Sequence, residues 1–124
     1  MDNKHHNVVI LGASNKPDRY AYRALTKLRN QQYSIIPVHP KLDEIEGIKV
    51  KASLSEITEP VNTLTLYIGP GRSESIIDEI IELKPDRIIF NPGTESKKVE
   101  QKLKQAKIPY ILDCTLIMLD CNQF

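Results

Sequence analysis

Apolar residues in this chain come in short continuous runs, each closed by glycine or proline and separated by stretches with helical spacing. Asn7-Val8-Val9-Ile10-Leu11 stops at Gly12, and Tyr33-Ser34-Ile35-Ile36-Pro37-Val38 stops at the turn His39-Pro40-Lys41. Thr63-Leu64-Thr65-Leu66-Tyr67-Ile68 stops at Gly69-Pro70-Gly71, Arg87-Ile88-Ile89-Phe90 stops at Asn91-Pro92-Gly93, and Pro109-Tyr110-Ile111-Leu112 is a fifth run. Continuous rather than alternating apolar residues mark strands buried on both faces. Pro37 conflicts with a central strand because it lacks a ladder donor, so pairing is expected to end there. Between the runs, Tyr20, Ala24, Leu25 and Leu28 predict a helix over 20–30, with Asp18 a candidate cap. Ile76, Ile77, Ile80 and Leu83 predict a helix from Ser73 to Leu83, closed by Pro85. Val99, Leu103 and Ala106 predict one over 96–106. Ser53 to Ile57 reads as one helical turn, with Ser53 as cap and Glu56 completing a capping box. Gly47 marks a turn in the polar stretch 42–51, and Leu116 to Leu119 is an apolar segment whose period decides nothing.

Strands alternating with helices through short loops predict an α/β domain, a doubly wound five-stranded parallel sheet; the strand order expected is 3-2-1-4-5. The 124 residues make one domain, and 40% hydrophobic content is too high for a disordered chain. No apolar run approaches the roughly 18 residues that cross a bilayer, so no membrane role is expected. Residues 1–6 form a polar tail without the apolar core of a signal peptide, which points to the cytoplasm. Seventeen Lys and Arg against sixteen Asp and Glu, interspersed, give a net charge of +1 and no basic face for nucleic acid. Cys114 and Cys121 form neither a disulfide framework nor a zinc signature, and both thiols are expected to be free.

In open parallel sheets, ligands bind beyond the carboxyl ends of the strands. Gly12, Gly69, Gly71 and Gly93 all follow strands and fall on that edge, joined by Pro40, Pro70 and Pro92; only Gly47 lies elsewhere. Glycine serves any tight turn, but stiff Pro-Gly turns also let a ligand approach the backbone. The first turn, Gly12-Ala13-Ser14-Asn15-Lys16-Pro17, lies between a strand and a helix, where amides and the helix dipole hold phosphate. It lacks the later glycines of the dinucleotide fingerprint and the Gly-Lys-Ser/Thr of a P-loop. Dinucleotide domains place an acid after the second strand to hold the ribose diol. Here Lys41 stands in that turn, which favours a ligand with a phosphate on its ribose, such as NADP or coenzyme A.

Val9-Ile10-Leu11-Gly12-Ala13-Ser14, Pro17, Arg19-Tyr20, Pro37-Val38-His39-Pro40-Lys41, Glu46-Gly47 and Asn91-Pro92-Gly93, in this order, resemble the small stand-alone coenzyme A-binding proteins. These are related to the nucleotide-binding domain of the succinyl-CoA synthetase alpha subunit. The resemblance covers nearly the whole chain and implies a single Rossmann-like CoA-binding domain over 1–124. It implies Gly12, Ala13, Ser14 and Lys16 at the pyrophosphate. It places His39, Pro40 and Lys41 at the ribose phosphate, and Gly69, Pro70, Asn91, Pro92 and Gly93 along the groove for the pantetheine arm. Two departures stand out: His39 where Asn is common, and Ile68-Gly69-Pro70 for a more usual Val-Pro-Pro.

No catalytic triad, metal-ligand cluster or carboxylate pair is visible. The synthetase's phosphorylated histidine belongs to a second domain, and neither His5, His6 nor His39 fits it. Tyr20 is a candidate for stacking on or bonding the ligand, while Tyr22 reads as partial core packing. Cys114 reads as a small buried residue, with a mixed-disulfide partner for a CoA thiol as the alternative. The expectation is non-catalytic binding of coenzyme A or an acyl-CoA by a small-molecule nucleotide site. The alternatives are a ligase-like subunit with a separate catalytic partner, and an NADP-binding sensor or reductase module.

Overall fold

A computed structural model describes residues 3–124; Met1 and Asp2 of the expected polar tail lie outside the described residues. Five strands form one parallel sheet: β1 (Asn7–Leu11), β2 (Ser34–Val38), β5 (Thr63–Leu66), β6 (Arg87–Phe90) and β7 (Tyr110–Leu112). A small antiparallel hairpin, β3 (Glu44–Ile45) and β4 (Ile48–Lys49), leaves the end of β2. Its turn residues Glu46 and Gly47 both have positive φ, 51° and 80°, as a two-residue hairpin turn matched to strand twist requires.

The strands were expected to be buried on both faces, and the core has two layers accordingly. Val9, Leu11, Leu64, Leu66, Ile88 and Phe90 pack on one face against α3 (Ile77–Leu83) and α4 (Lys97–Gln105). Val8 and Ile10 pack on the other against Ala21, Leu25 and Leu28 of α1 (Tyr20–Asn30) and Leu119 of α5 (Thr115–Asp120). The apolar segment of unsettled type is thus helix α5. No helix among the described residues is long and apolar enough to cross a membrane.

The doubly wound, Rossmann-like class is as expected, but the strand order needs correction. The main sheet runs β2-β1-β5-β6-β7. The strand expected at the far edge, outside the second, instead lies between the first and fourth. The far-edge place is held by a single parallel bridge, Val38 with Lys51. Lys51 N donates to Pro37 O (2.9 Å), and His39 N donates to Lys51 O (3.0 Å). With Lys51 counted as a third strand reduced to one residue, the order reads 3-2-1-4-5-6, the same doubly wound pattern with one more position than expected. Pro37 stays in register opposite Ile10 rather than ending the pairing. Its missing N–H faces this almost strandless edge, where no ladder needs it.

Several local expectations also change. The helix expected from Ser73 begins at Pro70, with proline in its first turn, and breaks at Ile76 into α2 (Pro70–Ser75) and α3. Lys84 in the left-handed region, φ 52°, ends α3 before Pro85. Ser53 precedes a single 3-10 turn (Leu54–Glu56) without a side-chain cap bond; its hydroxyl pairs with Ser55, and Glu56 reaches back to Ala52 N instead. Ala106 lies exposed, past the end of α4, while Val99 and Leu103 are fully buried as expected.

Candidate functional site

The carboxyl ends of β1, β2, β5 and β6 converge on one edge, and Gly12 is where they meet. Its N–H and that of Ala13 both donate to Val38 O, at 3.2 and 3.1 Å, which joins the first turn to the end of β2. Tyr67 N donates to Leu11 O at 2.8 Å, bringing the chain after β5 against the same turn. With φ +91°, Gly12 takes a conformation that side chains rarely adopt. Beyond it, Lys16 N donates to Ser14 Oγ (3.1 Å), folding the loop back toward α1. Asp18 does not cap that helix. Arg19 is the N-cap residue, with extended backbone and no side-chain cap bond. The helix thus presents first-turn amides that no side chain covers, on the side where Tyr20 and Ala21 border a cavity.

That cavity has a volume of about 730 Å³. Lys16 and Arg19 reach it from the first turn, Lys41 from the turn after β2, and Arg72 from α2. None of the four enters an ion pair among the described residues. No Asp or Glu lines it, in a chain with sixteen of them. A molecule of net charge +1 therefore carries a local concentration of positive charge at the switch edge of its sheet, where low-dielectric walls focus the field.

Two side chains shape the walls. His39 lines the cavity with its Nδ1 accepting from Lys41 N (3.0 Å) and Leu42 N (3.2 Å), so it closes its own turn. Burial, then the charges of Arg72 and Lys41, hold the imidazole below its usual pKa. Tyr67 forms part of the floor. Its hydroxyl is buried beside Thr115 and Thr65 without a well-formed hydrogen bond to either, and burial pushes its pKa up to about 12. Tyr20, 66% exposed, stands at the rim with the Arg23 guanidinium 5.6 Å from its ring centroid, rather than facing the core as helical spacing suggested.

Of the residues singled out from the sequence, Gly12, Ala13, Ser14, Lys16, Tyr20, His39, Lys41, Gly69, Pro92 and Gly93 line this cavity. Pro40 lines a smaller adjoining one of about 130 Å³, between Leu11, Val38, Leu54 and Ile76, which shares Gly12 and Arg72 with the first. Pro70 opens α2 and lies outside both linings. Asn91 is buried and committed to the fold: Nδ2 donates to Thr65 Oγ1 (2.7 Å) and Leu66 O (2.8 Å), and Oδ1 accepts from Thr115 N (2.9 Å). It is a strut beneath the cavity. Sequence reasoning missed Asn15, Arg19, Arg72, Tyr67 and Thr94. Arg72, one residue past Gly69-Pro70-Gly71, carried the only available signal, a cation beside a ligand-edge turn. Cys114 is the half-buried N-cap residue of α5 and Cys121 is exposed; neither thiol is in a disulfide, and neither lines the cavity.

A coenzyme A-binding domain model matches residues 6–120. The chain belongs to the CoA-binding domain family. Relatives cover most of its length. An uncharacterised protein of known crystal structure superposes with a TM-score of 0.90 at 39% identity, covering 96% of this chain and 98% of that one. The uncharacterised Bacillus subtilis protein YneT is 26% identical over 106 residues, 86% of this chain and 78% of YneT. The ADP-forming acetate–CoA ligase of Methanocaldococcus jannaschii is 29% identical over 62 residues, half of this chain but 9% of the ligase. A CoA-binding domain implies a small nucleotide-like ligand, and open parallel sheets as a class bind ligands beyond the carboxyl ends of their strands.

Proposed function

We propose that the cavity binds coenzyme A or an acyl-CoA and that the chain by itself performs no chemistry on it. The observation that carries this is the meeting of four unpaired cations with uncapped helix amides in a cavity without a carboxylate. Coenzyme A presents a pyrophosphate and a ribose 3′-phosphate, and the cavity offers separate positive groups for each. Gly12, Ala13, Ser14 and Lys16, with the start of α1, suit the pyrophosphate. Lys41, in the turn that His39 closes, suits the ribose phosphate, with Pro40 on the adenosine side. Gly69, Pro92 and Gly93 suit the pantetheine arm. Lysine in place of an acid after β2 argues against an unphosphorylated ribose diol.

Titration calorimetry with CoA, dephospho-CoA, NAD and NADP tests this. CoA is expected to bind, with dephospho-CoA weaker by about tenfold or more, the scale of a lost charge-assisted contact. No heat with CoA, equal binding of dephospho-CoA, or preference for NADP each overturns it. Arg72→Ala is expected to weaken CoA roughly tenfold while leaving the melting temperature within about 2 °C, because Arg72 is exposed and unpaired. Unchanged affinity would remove Arg72 from the site.

The 62-residue match to the acetate–CoA ligase favours a second reading, a CoA-holding subunit for a separate catalytic chain. Recovery of such a ligase chain in a pull-down supports it; recovery of none counts against it.

A further inference from the structure

We propose that His39 is a positioning residue whose neutral imidazole holds the Lys41 turn against the cavity, so that its protonation releases bound CoA in mildly acidic solution. This rests on the CoA-binding reading above and adds regulation to it. Both partners of His39 Nδ1, Lys41 N at 3.0 Å and Leu42 N at 3.2 Å, are N–H donors, so Nδ1 must present a lone pair. The neutral ring therefore carries its proton on Nε2. An imidazolium is protonated on both nitrogens and accepts nothing. Adding the proton thus sets an N–H against two N–H groups and dissolves the turn. Lys41 and Leu42, which it holds, both line the cavity.

What remains after that loss is slight. His39 N to Lys51 O (3.0 Å) anchors the turn at its start, and Val50 N to Asp43 O (2.9 Å) anchors its far end. Between them, His39 Nδ1 is the side-chain acceptor that shapes residues 40–42.

The charges around the ring are cationic. Arg72 faces it from α2 and Lys41 from its own turn, while Lys16 and Arg19 lie across the cavity. Lys51 is its backbone partner, Tyr20 and Tyr67 are uncharged, and Glu79 lines only the adjoining cavity. The ring's pKa is lowered, by burial first and then by Arg72 and Lys41. The turn is therefore intact at neutrality and above, and is lost as pH falls below the usual histidine range. A bound phosphate favours the imidazolium by its charge and so opposes release, but a solvent-screened attraction of this kind is worth less than the two turn hydrogen bonds that protonation breaks.

The test compares each protein with itself at two pH values. His39→Asn keeps a side-chain acceptor for the same two amides, in an Asx-type turn, and does not titrate. The 3′-phosphate of CoA takes up its own proton near pH 6, equally in both proteins. Between about pH 7.5 and 5.5, the native chain is expected to lose roughly tenfold more CoA affinity than His39→Asn, on the scale of the broken bonds. In the ligand-free chain, the amide resonances of Lys41 and Leu42 should move with a histidine titration that His39→Asn abolishes. Parallel affinity profiles, or a native chain that gains affinity relative to the variant on acidification, overturn the proposal. Amide resonances that ignore the titration also overturn it. Because that measurement needs no ligand, a chain that fails to bind CoA at any pH defeats the functional reading separately, and with it the release of CoA.

Discussion

Gly12→Ala is expected to lower the melting temperature by about 10 °C and to abolish CoA binding. Two costs add. The first is conformational: φ at +91° places a side chain in a region costing roughly 1–2 kcal/mol for an L-residue. The second is steric. A Cβ here would lie 2.8 Å from Ile68 Cγ2 and 2.9 Å from both the carbonyl carbon and oxygen of Tyr67. The Ile68 side chain can rotate, but the Tyr67 backbone is held by its N–H to Leu11 O. Overpacking of this kind costs about 1–3 kcal/mol. The sum, around 3 kcal/mol, corresponds to a shift near 10 °C in a domain of this size. Gly93→Ala separates the two costs, since Gly93 has φ +90° but nothing within 4 Å of a Cβ. Thermal melts should show it losing about a third to a half as much. Equal losses would mean that φ, not contact with the end of β5, makes glycine necessary at residue 12.

The same residues show what the pattern of the chain reveals and what it leaves out. Continuous apolar runs sufficed to place all five sheet strands: the inner strands, covered on both faces, have no polar side to show, while β7 is apolar although Ile111 and Leu112 lie exposed at the sheet edge. Strand order was not legible. Nothing in the pattern marks Lys51 as the lone survivor of an outer strand, and only with β2 almost at the edge does Pro37 become unexceptional. The backbone half of the site was legible at Gly12 and Gly93, since turns demanding positive φ leave glycine in the sequence. Its charged half was only partly so. Lys41 was found because an acid was expected there, whereas Arg72 on the first turn of a helix looks like any solvated arginine until the cavity surrounds it. Asn91 shows the opposite case. It does lie at the ligand edge, but whether its amide turns up toward a ligand or down into the core depends on Thr65 and Thr115, residues far from it in the chain.

That downward orientation makes Asn91→Asp a damaging substitution despite its near-identical shape, and one whose effect depends on pH. Asn91 is 3% exposed, and its amide joins β5, β6 and the start of α5. A carboxylate keeps the acceptor for Thr115 N but loses both donors. Thr65 can reverse its hydroxyl to compensate; the Leu66 carbonyl cannot, and would face a buried negative oxygen at a 2.8 Å donor position. Stranding a buried acceptor and burying a charge cost about 3–5 kcal/mol together. Burial raises the new carboxyl's folded-state pKa above the unfolded value of about 3.9. A protonated carboxyl can again donate one bond. Stability is therefore retained below the unfolded pKa and lost as pH rises through the raised folded one. Urea unfolding at about pH 4.5 and 7.5 should show the gap between variant and native chain narrowing at the lower pH. A gap of the same size at both would mean that the carboxylate finds a partner or water at neutrality. A ligand-contacting residue behaves differently: its substitution weakens CoA and leaves urea unfolding where it was. A variant of that phenotype would return Asn91 to the groove from which its hydrogen bonds remove it.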